Sequence, residues 1–110
     1  MAEPLFREYE AIVLEYLLEP ILPDEVVDDI IENSTFVSLE VTGAGYFLTV
    51  RHPWIGSRRV VSTRNATGEH GELRFGFVVF LEDGELTLEC FTYVDEAPPS
   101  LRDLDIEIYE

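Results

Sequence analysis

The stretch FGFVVFLEDGELTLECFTY, residues 75–93, reads as a β-hairpin. Two runs rich in aromatic and β-branched residues flank Asp83-Gly84, the dipeptide that suits a two-residue type I′ turn because both of its positions need positive φ. The turn fixes a register in which Glu82 opposes Glu85, Leu81 opposes Leu86, Val79 opposes Leu88, Phe77 opposes Cys90 and Gly76 opposes Phe91. One face then carries Phe75, Phe77, Val79, Leu81, Leu86, Leu88 and Cys90, which predicts core. The other carries Arg74, Val78, Phe80, Thr87, Glu89, Phe91 and Tyr93, a mixed face either covered by the chain ends or used for a partner.

Upstream, Val37, Leu39 and Val41 alternate with Ser38 and Glu40, and Thr42-Gly43-Ala44-Gly45 turns the chain into a second strand over Tyr46 to Val50. Residues 52–57 read as a loop, 58–63 as a short strand and 64–71 as a polar loop. Before the sheet come two helices. Leu5, Phe6, Tyr9, Ile12, Val13, Tyr16 and Leu17 recur at helical spacing between Pro4 and Leu18. Pro20 and Pro23 stop that helix, and Pro23-Asp24-Glu25 starts a shorter one with Val26, Val27, Ile30 and Ile31 as its apolar stripe. At the far end Leu104, Ile106 and Ile108 alternate with acids as a last edge strand, whose charges would discourage pairing between molecules. The expected fold is α+β in a single domain, 1–110: two N-terminal helices packed on one face of an antiparallel meander of about five strands.

Charge is segregated along the chain. Its net charge is -16, with 23 acids, seven arginines and no lysine. Residues 1–50 hold eleven acids against Arg7, residues 51–80 five arginines against Glu69 and Glu72, and residues 81–110 ten acids against Arg102. Such a surface repels nucleic-acid backbones and anionic membranes and attracts basic proteins. A saline host would also favour the composition. With 46% hydrophobic residues the chain can still build a core, so the charge belongs outside. The absence of a leader-like or membrane-length apolar run predicts a cytoplasmic address, and leaves Asn33 and Asn65 as chance glycosylation matches.

No catalytic motif is visible. His52 and His70 match no metal-site spacing, and no cofactor is expected. Cys90 falls among Phe77 and Leu88 and reads as an inert core thiol. Glu89, sharing a face with Arg74, Phe91 and Tyr93, is the best seed for an enzyme or ligand site, since apolar neighbours raise a carboxyl's pKa. The five central arginines read as internal neutralisation of nearby acids. Trp54, in His52-Pro53-Trp54-Ile55, is either an interface anchor or a plug for the sheet end.

Thr42-Gly43-Ala44-Gly45-Tyr46-Phe47-Leu48, Gly76 to Gly84 and Leu88-Glu89-Cys90-Phe91-Thr92-Tyr93 together resemble a group of small, uncharacterised acidic bacterial proteins, over roughly residues 36–99. The chain is also similar in type to the immunity proteins that neutralise polymorphic toxins. That resemblance implies a non-enzymatic inhibitor of a basic, nuclease-like toxin. Asp24, Glu25, Asp28, Asp29 and Glu32 of the second helix and the tail acids Asp95, Glu96, Asp103 and Asp105 are the expected partner contacts, with Trp54 and Tyr93 as anchors. The alternatives are a ligand-binding or hydrolytic module around Arg74, Glu89 and Phe91, a DNA mimic, or a homodimer through the second face.

Overall fold

The computed structural model describes residues 5–93 and 96–109. Its elements run α1 (Glu8–Leu18), α2 (Asp24–Asn33), β1 (Thr35–Thr42), β2 (Gly45–Arg51), β3 (Val60–Val61), β4 (Ala66–His70), β5 (Leu73–Glu82), β6 (Glu85–Thr92), a 3-10 turn (Leu101–Asp103) and β7 (Glu107–Tyr109). The β5–β6 hairpin has the expected register, from Glu82 opposite Glu85 to Gly76 opposite Phe91. Asp83 and Gly84 sit at φ 50° and 78°, as a type I′ turn requires. All seven residues assigned to its core face are buried.

The fold is α+β, but the sheet differs from a five-strand meander. It has seven antiparallel strands in the order β1-β2-β6-β5-β4-β7, with β3 paired to the far end of β5. The neighbour of β2 is β6, not the next strand in sequence. Tyr46, Leu48 and Val50 face Cys90, Leu88 and Leu86 in register, and all six are buried. The basic segment around Arg58 and Arg59 could not supply that apolar face. To leave β2, the chain passes around the hairpin turn: the His52 amide donates to the Gly84 carbonyl (3.1 Å) and the Gly84 amide to the Gly56 carbonyl (3.0 Å).

β4 falls within the segment expected to be a polar loop. Its inward residues are only Ala66 and Gly68, so alternation leaves almost no hydrophobic signal. Gly68 is required by packing: a Cβ there would lie 2.6 Å from Ile106 Cγ2 and 3.0 Å from Phe77 Cε2. β7 pairs with β4 as the edge strand the alternation predicts.

α1 begins at Glu8, later than the apolar pattern suggests; Pro4 lies outside the described residues. Its buried stripe is Tyr9, Val13, Leu14, Leu17 and Leu18 with Glu10 among them, while Ile12, expected inside, is exposed. The helix contacts β4, β5 and β7, and the Tyr9 ring lies 6.2 Å from that of Phe77. α2 starts after Pro23, buries Val27 and Ile30, and contacts α1. Among the described residues no helix is long and apolar enough to cross a membrane.

Candidate functional site: an acidic helix, a clamped tryptophan loop and an open sheet edge

Two polar clusters fix the surfaces on offer. The first is internal. Glu10 is fully buried, and its carboxylate accepts the Arg7 amide (2.7 Å), the Tyr46 hydroxyl (2.7 Å), and Arg102 through Nε (2.9 Å) and Nη2 (3.0 Å). Arg102 Nη2 also donates to the Leu5 carbonyl (2.7 Å), and the Tyr9 hydroxyl lies 2.8 Å from that of Tyr46 and 3.0 Å from the Arg102 carbonyl. Burial, and then the Glu10 charge, pushes both phenols up and keeps them protonated. Every group in the cluster has a partner, so it is a clasp between helix, sheet and tail rather than a reactive centre. Cys90, nearby, has its thiol pushed up by burial and then by Glu10 and Glu89.

The second cluster joins α2 to the loop after β2. His52, 1% exposed, accepts the Trp54 amide at Nδ1 (3.0 Å), so Nε2 carries the proton it donates to Asp29 Oδ2 (2.6 Å). Asn33 Nδ2 donates to the other oxygen of Asp29 (2.7 Å). Those bonds, with the one from His52 the larger, hold the Asp29 carboxyl below its ordinary range. The helical pattern puts Asp29 in open water with its neighbours; it is half-buried instead, because the clamp uses both its oxygens. The clamp also supports the indole of Trp54, edge-on to His52 at 5.3 Å and itself 56% exposed. Trp54 therefore projects into solvent rather than plugging the sheet.

Asp24, Glu25, Asp28 and Glu32 remain exposed on α2. Asp24 and Asp28 share a shallow depression with Glu15 and Glu19 of α1. Arg64 answers Glu19 at 3.2 Å, as Arg51 answers Glu85 at 2.7 Å and Arg74 answers Glu69 at 3.1 Å. The remaining expected contacts lie elsewhere. Tyr93 follows the end of β6 beside the β1–β2 turn, whereas Trp54 follows the opposite end of β2, about 20 Å away at roughly 3.4 Å per residue. Glu96 is exposed near that turn, where the Ala97 amide donates to the Gly43 carbonyl; Asp95 lies outside the described residues.

On the other face of the sheet, Arg74 and Glu89 share a surface but not a bond. Arg74 is taken by Glu69, its register partner on β4, while Glu89 lies between Val78 and Phe47. Phe91 and Tyr93 stack edge-to-face at 5.6 Å over Gly76, where a Cβ would meet Phe91 Cζ at 2.5 Å and the Tyr93 hydroxyl at 2.9 Å. Beside them is an open depression of about 790 Å³ lined by Thr67, Glu69, Glu72, Leu73, Arg74 and Tyr93. Glu89 is not in its wall. Among the described residues no group of three His, Cys, Asp or Glu side chains could hold a metal.

The last surface is β1, which follows α2 after a single residue, Ser34. Among the described residues it pairs only with β2, and Phe36, Leu39 and Val41, placed by register on the same face as Val50, Leu48 and Tyr46, are 51%, 38% and 51% exposed. The apolar face of the sheet thus continues to an uncovered edge. No family model, curated protein or solved structure matches the chain. The sequence singles out Asp29 and Trp54 separately and leaves His52 as a loop residue that matches no metal-site spacing. A histidine two residues before an exposed tryptophan, with a carboxylate on the preceding helix, is the available signal for their connection.

Proposed function

We propose that this chain is a non-enzymatic, cytoplasmic binding domain of the immunity type, which occupies the cationic surface of a basic, nuclease-like toxin. The observation that carries the reading is the His52–Asp29 clamp, which fixes an exposed tryptophan beside an acidic helix. A rigid aromatic anchor next to carboxylates is the arrangement a binding surface uses: the aromatic supplies contact area at low entropic cost and the charges speed encounter. A partner that handles nucleic acid must present cations to phosphate, and carboxylates on α2 can take their place. In this reading α1 and α2 both cover one sheet face, α2 leaving its acids outward. Tyr93 and Glu96 would belong to a separate, secondary contact.

The test is co-expression with the product of the adjacent open reading frame. The reading expects that product to be toxic alone, harmless in the pair, and bound in a complex that weakens as salt rises. No toxicity and no complex would remove it. A second reading, a small-ligand module, is favoured by the depression beside Arg74 and Tyr93. It predicts that Arg74→Ala or Tyr93→Ala abolishes binding of a small ligand while Trp54→Ala leaves it intact.

A further inference from the structure

We propose that β1 is a docking edge, and that it captures an extended, alternating basic and apolar segment of the partner as an eighth strand of the sheet. The backbone identifies the occupant as a strand. The Thr92 amide donates to the Ala44 carbonyl and the His52 amide to the Gly84 carbonyl, and both pairs follow the β2–β6 register, so the even-numbered residues of β2 bond to β6. Odd-numbered residues of β2 then face β1, and Phe47 and Thr49 bond to Glu40 and Ser38. By the alternation of antiparallel ladders, Leu39 and Val41 turn their amides and carbonyls away from β2 to the open edge.

The two edges of the sheet are treated differently. One is closed by β7, three residues long with Glu107 in it, and by the two residues of β3 after Arg58 and Arg59. Short strands and charges are the usual protection against unwanted pairing. β1 has eight residues, no proline and one charge, Glu40. Beyond Glu40, its protection is an irregularity between Phe36 and Ser38, which leaves Ser38–Thr42 as regular edge. An added strand would place apolar side chains opposite Leu39 and Val41, extending the covered face, and basic ones opposite Glu40. Charge decides against a second copy of this chain, which would bring another -16 and set acid against acid. The basic character of the segment rests on the proposed function; the strand geometry does not.

The test uses the full chain, isotope-labelled, with the peptide acetyl-Lys-Val-Lys-Val-Lys-Val-Lys-amide at low ionic strength. Saturating peptide should slow exchange of the Leu39 and Val41 amides by about tenfold or more. The same peptide N-methylated at its valines, or with Glu for Lys, should give no protection. Val41→Pro should cut affinity at least about tenfold and keep the fold, since that amide makes no bond to β2. Shifts at Trp54 and α2 without protection at Leu39 and Val41 would overturn the edge and leave the acidic-surface reading standing. Protection that Asp28→Lys with Glu32→Lys and added salt leave unchanged would uphold the edge and sink the electrostatic reading. Protection that grows with protein concentration in the absence of peptide would make the occupant a second copy and overturn the proposal.

Discussion

Arg102→Ala withdraws the cation that faces Glu10 in the buried clasp and leaves that carboxylate with the Arg7 amide and the Tyr46 hydroxyl. Three charge-assisted bonds disappear, two to Glu10 and one to the Leu5 carbonyl. Each is worth about 1.5–3 kcal/mol. Water entering beside the truncated side chain returns part of that sum, and removal of one partner of a buried pair costs about 3–5 kcal/mol in total. Stabilities of whole domains run to about 5–15 kcal/mol, so the loss is a large share. In urea at neutral pH, with m about 1.5 kcal/mol/M, the midpoint should fall by about 2 M or more. The double variant Glu10→Leu/Arg102→Met, which removes both charges, should recover most of the loss, because an apolar replacement avoids the stranded ion. A midpoint shift equivalent to less than about 1 kcal/mol for Arg102→Ala, the range of exposed pairs, would refute the claim that the clasp holds its charge dry.

Three further outcomes follow from particular contacts. His52→Ala should raise the titration midpoint of the Asp29 carboxyl, read by NMR, because its largest source of depression is gone. A depressed folded pKa gives stability that is present above the unfolded value and lost as pH falls through the folded one, so parent and variant should converge at the acid end; a constant gap would deny the linkage. Gly68→Ala should cost about 1–3 kcal/mol by thermal unfolding, since its Cβ would crowd Ile106 and Phe77, and an unchanged midpoint would show that β4 can shift freely. Cys90 should resist a thiol reagent in the folded protein and react on unfolding; rapid labelling of the native chain would place it outside the core.

The hairpin over residues 75–93 is legible to single-residue register because its information is local: a turn dipeptide and two alternating runs. The pairing of β2 with β6 is not, since it follows from a loop passing around Gly84, a path no composition signal marks. β4 escapes because small inward residues do in a crowded sheet what large ones do elsewhere. The same distance problem hides both polar clusters. Glu10 reads as one more helix acid and Arg102 as the lone base of an acidic tail, although they meet across 92 positions. His52 and Asp29, 23 apart, read as a loop residue and a solvated acid, yet their bond is what unites the acidic helix with Trp54. Patterning gives the faces of elements; it does not give which distant polar groups satisfy one another.

If the acids of α2 and Trp54 form one surface for a basic protein, encounter with that protein must be steered by charge. The decisive quantity is the association rate with the neighbouring gene product across a salt series, for the parent chain and for Asp28→Lys with Glu32→Lys. Asp28 and Glu32 are the suitable pair because both are exposed, whereas reversing Asp29 would also break the clamp. Association should be fast and slow with salt, and the charge-reversed variant should be slower by about tenfold or more at low salt, with the two converging at high salt. Equal on-rates for the two proteins at every salt concentration would contradict a steered acidic surface.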